Sequence, residues 1–217
     1  MHALDTSPAS PSPIATSLMK TEDPAASATP IVLVLLVWFA VASAASASGA
    51  LAKLRPPAPQ LVAVLLTLSS VAAVLLVPRL RAWTDQVSIR ALVAIHLTRF
   101  VGAYLIQLGR SNTLPARFAI PAGLGDLLVA TLAVLLLACV PTRARRAHAL
   151  YYGWNILGLI DILFVLLSAA RTGLVNPGAM QPLLHLPLSL LPTFLVPVVI
   201  TTHILIFRRL RIAAVRT

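Results

Sequence analysis

Along the chain, six long apolar stretches alternate with short polar ones, at roughly Ile31–Ala50, Leu61–Val77, Ile89–Leu108, Phe118–Val140, Tyr151–Ala170 and Leu184–Phe207. A helix needs about 17 to 25 such residues to cross the hydrocarbon layer, and each stretch supplies about that many. The second is short and can borrow Ala58 to Gln60 at its start. This pattern predicts an all-α, polytopic transmembrane helical bundle of six helices within residues 31–210. Brief links such as GRSNTLPAR and RTGLVNPGAMQP, rich in Pro, Gly, Asn and Arg, suit helix-to-helix connections. No internal repeat is evident, and the helices do not divide into the two matching halves of many secondary transporters.

The ends of the chain read differently. Residues 1–30 are dominated by Pro, Ser, Ala and Thr and are expected to form a disordered cytoplasmic tail, because nothing there buries enough apolar surface to offset ordering. Residues 211–217 are expected to form a short basic cytoplasmic tail. The first apolar stretch has two readings. Its Leu/Val-rich start followed by ASAASASGA resembles a signal core with small-residue cleavage sites. Against that, the long preceding segment sets Asp5, Glu22 and Asp23 against Lys20, where a secretory signal wants a short positive region. Retention as a helix gives six crossings and cleavage gives five.

Composition narrows the class. Hydrophobic residues make up 59% of the 217 and charged residues only 11%, too few charges for a soluble domain to cover itself. The net charge of +11 does not indicate nucleic acid, because the basic residues are split among short connections. Such spacing serves topology and anionic-lipid contact. With the N-terminus cytoplasmic, eleven basic residues (Lys20, Arg79, Arg81, Arg90, Arg143, Arg145, Arg146, Arg208, Arg209, Arg211, Arg216) face five across the membrane (Lys53, Arg55, Arg110, Arg117, Arg171). The bias predicts a multi-pass cell-membrane protein with both termini cytoplasmic. Trp83, Tyr151 and Tyr152 fall near that boundary as interfacial aromatics. Cys139, the only cysteine, cannot form an internal disulfide and is expected to be a buried, inert thiol.

Three apolar stretches nevertheless carry a charge: Arg99, Asp126 and Asp161. At 1.5 Å per residue, Arg99 lies about 16 Å from the cytoplasmic edge and both acids about 18 Å, so three helices place ionisable groups at one level. Each such group left facing lipid costs about 2.5 to 3.5 kcal/mol, and a shared polar centre avoids most of that. Arg99 can present its guanidinium fork to one or both acids, while Gly123, Gly125 and Gly158 let neighbouring helices approach. One arginine does not fully neutralise two carboxylates, and the charge left over is raw material for proton coupling. A buried network that only fixes which helices meet is the structural alternative.

Histidines mark a second candidate site. His96 lies three residues before Arg99, on nearly the same face, and His203 on the last stretch comes within reach of its level. Two facing imidazoles could ligate a b-type haem, with His96 and His203 as axial ligands. His185, eighteen residues before His203, would share its face at the opposite edge. No C-x-x-C-H attachment motif is present, and no resident cofactor or metal is assigned beyond that haem alternative. His148, beside Arg143, Arg145 and Arg146, marks the cytoplasmic interface. Pro187, Pro192 and Pro197 repeat at intervals of five in the last stretch, where each bends the helix and frees carbonyls for a neighbour, a water or a substrate.

AGLGD at 122–126 lacks the spacing and preceding strand of a phosphate loop. Membrane acid/base catalysis by Asp126, Asp161 and His96 has no accompanying nucleophile or metal cluster, which leaves enzyme activity open. The leading expectation is transport of a small polar or ionic solute, with Arg99, Asp126, Asp161 and His96 as the substrate or proton pathway. The alternatives are haem-based electron transfer and a structural or assembly subunit. Expected partners are the lipid bilayer, that solute, and an oligomer mate or membrane complex.

Overall fold

The computed structural model describes residues 24–142 and 146–215. Most of the expected N-terminal tail (residues 1–23), Arg143, Arg145 and residues 216–217 lie outside the described residues. Among those described, every regular element is helical, and six helical spans are long and apolar enough to cross a membrane. The chain is a multi-pass membrane protein with the all-α architecture its hydropathy predicts.

Helix α1 (Pro24–Ala47) begins seven residues ahead of the expected start and ends just before Gly49, whose φ of 70° closes the turn. Helix α2 (Ala58–Leu76) starts with Pro59 in its first turn, where the missing N–H removes no helical bond. A short helix α3 (Pro78–Gln86) follows it directly. The third span is not one helix. It consists of α4 (Ile89–Ile95), a 3-10 segment (His96–Val101) and α5 (Gly102–Arg110). Ser88 caps α4 by accepting from the Ala91 N–H at 3.1 Å.

A tight turn with Asn112 at φ 57°, which asparagine tolerates better than most residues, reverses the chain into α6 (Ala116–Cys139). Helix α7 (Ala147–Val175) completes the fifth span. The last span differs from expectation. Residues Gly178–Leu184 form a 3-10 segment, a turn follows, and the span starts with a π-helical stretch (Leu191–Leu195) leading into α8 (Val196–Val215). His185 and Pro187 therefore precede the helix, so His185 does not share a helical face with His203 and the five-residue proline rhythm is not a property of one helix. At the other end, α8 continues through residues 211–215, which were expected to belong to the tail.

Helix α6 packs against α4, the 3-10 segment, α5 and α7, while α8 packs against α2, α4 and α7. Two large apolar cores result, with a smaller cluster of Ile162, Val199 and Ile200 beside them. One gathers Val93, Val129, Ala133, Trp154 and Ile206 toward the end where α8 terminates, and the Tyr151 ring packs into it. The other gathers Leu105, Phe118, Ala122, Val165 and Met180 toward the opposite end. Cys139, expected buried, is exposed on the last turn of α6.

Helix α1 stands apart, touching chiefly α3 and the π-helical stretch, and Leu33, Leu36 and Val41 project from it. Pro197 has no N–H to offer the Thr193 carbonyl four residues back, and the Trp38 indole of α1 donates to that oxygen instead, at 3.1 Å. This freed carbonyl accepting from a neighbour is the behaviour that the proline pattern implied.

Candidate functional site

Between the two apolar cores lies a layer of polar side chains from the third, fourth, fifth and sixth spans. Arg99 is 1% exposed, and three of its N–H groups have partners. Nε donates to Asp126 Oδ1 at 2.7 Å, Nη1 to the Gly158 carbonyl at 3.0 Å, and Nη2 to Asp161 Oδ2. The three charges that share a depth by residue counting are thus joined in one ion-paired cluster.

Local backbone geometry makes this closure work. In a 3-10 segment residues three apart eclipse, so His96 and Arg99 stack on one edge and the next position, Gly102, follows them. A Cβ on Gly102 would stand 2.5 Å from the Gly123 carbonyl and 2.7 Å from the Asp126 Cβ. A Cβ on Gly123 would in turn run into the Gly102 carbonyl. Backbone lies against backbone at this crossing, which brings Asp126 within reach of Arg99. Gly125 leaves room for the Asp161 carboxylate, and Gly158 for the His203 ring, whose Cε1 would be 2.6 Å from an added Cβ.

The two carboxylates differ in surroundings. The Asp126 side chain is 8% exposed and the Asp161 side chain 15% exposed. Arg99 and Asp126 line a cavity of about 70 Å³, and its remaining walls are apolar. Leu191, Pro192 and Leu195 of the π-helical stretch form one side of it. The most irregular backbone of the last span therefore faces the charged pair.

His96 and His203 are both fully buried, with ring centroids 4.2 Å apart, and Trp154 meets His96 edge-on at 4.9 Å. Thr202 donates its hydroxyl to the Val199 carbonyl at 2.8 Å, so its oxygen accepts the His96 Nε2–H at 3.1 Å. Asn155 Nδ2 donates to the His203 carbonyl at 3.0 Å, which leaves Oδ1 to accept the His203 Nδ1–H at 2.7 Å. The second nitrogens, His96 Nδ1 and His203 Nε2, have no hydrogen-bond partner among the described residues.

This pair does not fit a haem held between the two rings. A haem iron bound by both histidines needs the macrocycle plane between them, whereas these rings touch each other. Nor do three His, Cys, Asp or Glu side chains converge as a metal site among the described residues. His148 lies elsewhere, with Nε2 3.1 Å from the Leu210 carbonyl.

A family model described as a domain of unknown function, DUF8737, matches residues 56–211. The chain belongs to the DUF8737 family. The matched stretch runs from the turn before α2 into the last turns of α8, and it contains every member of the polar layer. Helix α1 precedes the DUF8737 match. No curated protein and no solved structure matches the chain.

Several contributors to the layer escape a reading of the sequence. Gly102 carries no periodic signal, Asn155 is a single polar residue in an apolar run, and Thr202 is the middle of Thr201-Thr202-His203, where threonine is ordinary in a membrane helix. Proximity along the chain to a buried charge or histidine is the signal that would have found them: Thr202 adjoins His203, and Asn155 lies six residues before Asp161.

Proposed function

We propose that this protein transports a small polar or ionic solute across the cell membrane and that Arg99, Asp126 and Asp161 form its central site. The observation that carries the reading is a fully buried guanidinium joined to two carboxylates at mid-span and bordering a cavity. Ionisable groups are expensive in a membrane interior and commonly mark ion, proton or substrate paths. Formal charges of the trio sum to −1, so a proton or a small cation completes its balance. A cavity of about 70 Å³ suits something of a few heavy atoms.

In this mechanism Asp126 presents the cavity-facing carboxylate, Arg99 holds and orients it, and Asp161 retains the guanidinium when Asp126 engages the solute. The bare nitrogens of His96 and His203 offer further proton acceptors in the same layer. The π-helical wall supplies a place to open, because i→i+5 pairing leaves the backbone less tightly wound than an α-helix. Asp126→Asn and Asp161→Asn are expected to remain in the membrane and lose at least about tenfold of solute or proton flux in vesicles. Loss of folded protein in both, with flux per folded molecule unchanged, overturns the transport reading.

A second reading, a structural or assembly subunit, is favoured by the partners found for all three nitrogens of Arg99. A buried network of this kind fixes which helices meet without any solute.

The basic bias supports cytoplasmic termini. Ala50, Asn112 and Asn176 are exposed in turns that alternate with the opposite helix ends. Reporters inserted at these three positions are expected to be extracytoplasmic, and a cytoplasmic signal from all three reverses the orientation.

A further inference from the structure

A cavity of about 440 Å³ lies beneath α1, and Arg99, Asp126 and Asp161 take no part in its lining. Its walls are apolar, with Ile31 and Leu35 from α1, Leu66 and Val74 from α2, Leu92 from α4 and Leu205 from α8. It lies within the apolar spans, beneath the helix least engaged with the rest of the bundle.

One end is strongly basic. Leu80 and Thr84 of α3 and Leu205 of α8 close that end. One turn beyond Leu205, Arg208 Nη2 pairs with Asp85 of α3 at 2.5 Å, and Arg209 donates to the Asp85 carbonyl. Arg79 and Arg81 lie on the exposed side of α3. Arg208 and Arg209 thus converge on Asp85, and the same short helix carries the exposed Arg79 and Arg81. Arg208 Nη1 is buried and has no hydrogen-bond partner among the described residues.

We propose that this groove is a binding site for an anionic phospholipid, with one acyl chain beneath α1 and the phosphate at Arg208 and the α3 arginines. Charge complementarity selects the headgroup, since basic clusters at a membrane surface attract anionic lipids. Size selects a chain rather than a helix. One helical turn, about 10 Å across and 5.4 Å tall, would by itself fill the whole 440 Å³. The site does not depend on the transport reading, because none of Arg99, Asp126 and Asp161 lines it; its one tie to the polar layer is Thr202, which accepts from His96.

Native mass spectrometry of the full chain in detergent, titrated with phosphatidylglycerol or with phosphatidylcholine of the same chains, tests the proposal. The wild type is expected to retain one phosphatidylglycerol with about tenfold preference over phosphatidylcholine. Arg79→Gln with Arg81→Gln alters exposed side chains that hold no helix in place, and is expected to remove most of that preference. Ala73→Phe, which puts a ring into the groove, is expected to abolish the retained lipid whatever its headgroup. Equal retention of the two lipids by the wild type overturns the proposal, as does a preference unchanged in the double variant or a retained lipid in Ala73→Phe.

Discussion

Arg99→Met destabilises the folded membrane domain by about 3–5 kcal/mol, the cost of leaving a buried ion pair without one partner. Both Asp126 and Asp161 lose their counter-charge, and the Gly158 carbonyl loses a donor. Unfolding titrations in mixed micelles should show the transition shifted to much lower denaturant, or no folded baseline. Arg99→Lys recovers only part of the loss, because one ammonium does not reproduce the planar fork that reaches three acceptors. Adding Asp126→Asn and Asp161→Asn to Arg99→Met removes all three charges at once. Replacing a whole buried charge cluster is often neutral or stabilising, so this triple variant is expected to regain most of the lost stability. It also separates the two functional readings. A stable, charge-free protein that has lost flux supports a transport centre, and one that retains whatever role the wild type serves supports the structural subunit.

Gly123→Ala produces the second large effect. The added methyl meets the Gly102 carbonyl, and backbone has no rotamer with which to yield, so α6 must shift away from the third span. Overpacking of this kind costs about 1–3 kcal/mol. Because Asp126 lies one turn further along α6, the same shift lengthens its 2.7 Å bond to Arg99. Stability and any centre-dependent flux should therefore fall together. Gly153→Ala is the matching control, since an added Cβ there meets nothing within 4 Å. It is expected to unfold within about 0.5 kcal/mol of the wild type. Equal effects of the two substitutions would show that the Gly102–Gly123 crossing has no special role.

Hydropathy was enough to locate the spans because lipid imposes a uniform demand on each of them: about twenty apolar residues and internally paired backbone. Arg99, Asp126 and Asp161 were legible for the same reason, standing out against that background at a common depth. What hydropathy does not register is the hydrogen-bond pattern of the backbone. Residues 96–101 fall inside one span by hydropathy, yet they wind as a 3-10 segment, and that winding aligns His96, Arg99 and Gly102. Similarly, Leu184–Leu190 read as helix by composition, whereas the chain enters the last span only after a turn and a π-helical stretch. His185 was placed on the wrong element through this difference. The close approach of His96 and His203 was within reach of depth counting, but the contact between their rings, which excludes a haem plane between them, was not.

The order in which the ion-paired residues occur along the chain bears on how the protein is made. Arg99 emerges from the ribosome first, and its partners Asp126 and Asp161 follow 27 and 62 residues later. At about 5–20 residues per second, Asp126 is synthesised roughly 1 to 5 seconds after Arg99, and Asp161 roughly 3 to 12 seconds after it. During that interval the third span carries an unpaired guanidinium, and releasing it alone into lipid costs about 2.5 to 3.5 kcal/mol. The membrane-insertion machinery therefore gains by holding the third span until the fourth arrives, so that the hairpin turned at Asn112 enters the bilayer as a neutralised pair rather than as two separate charged helices.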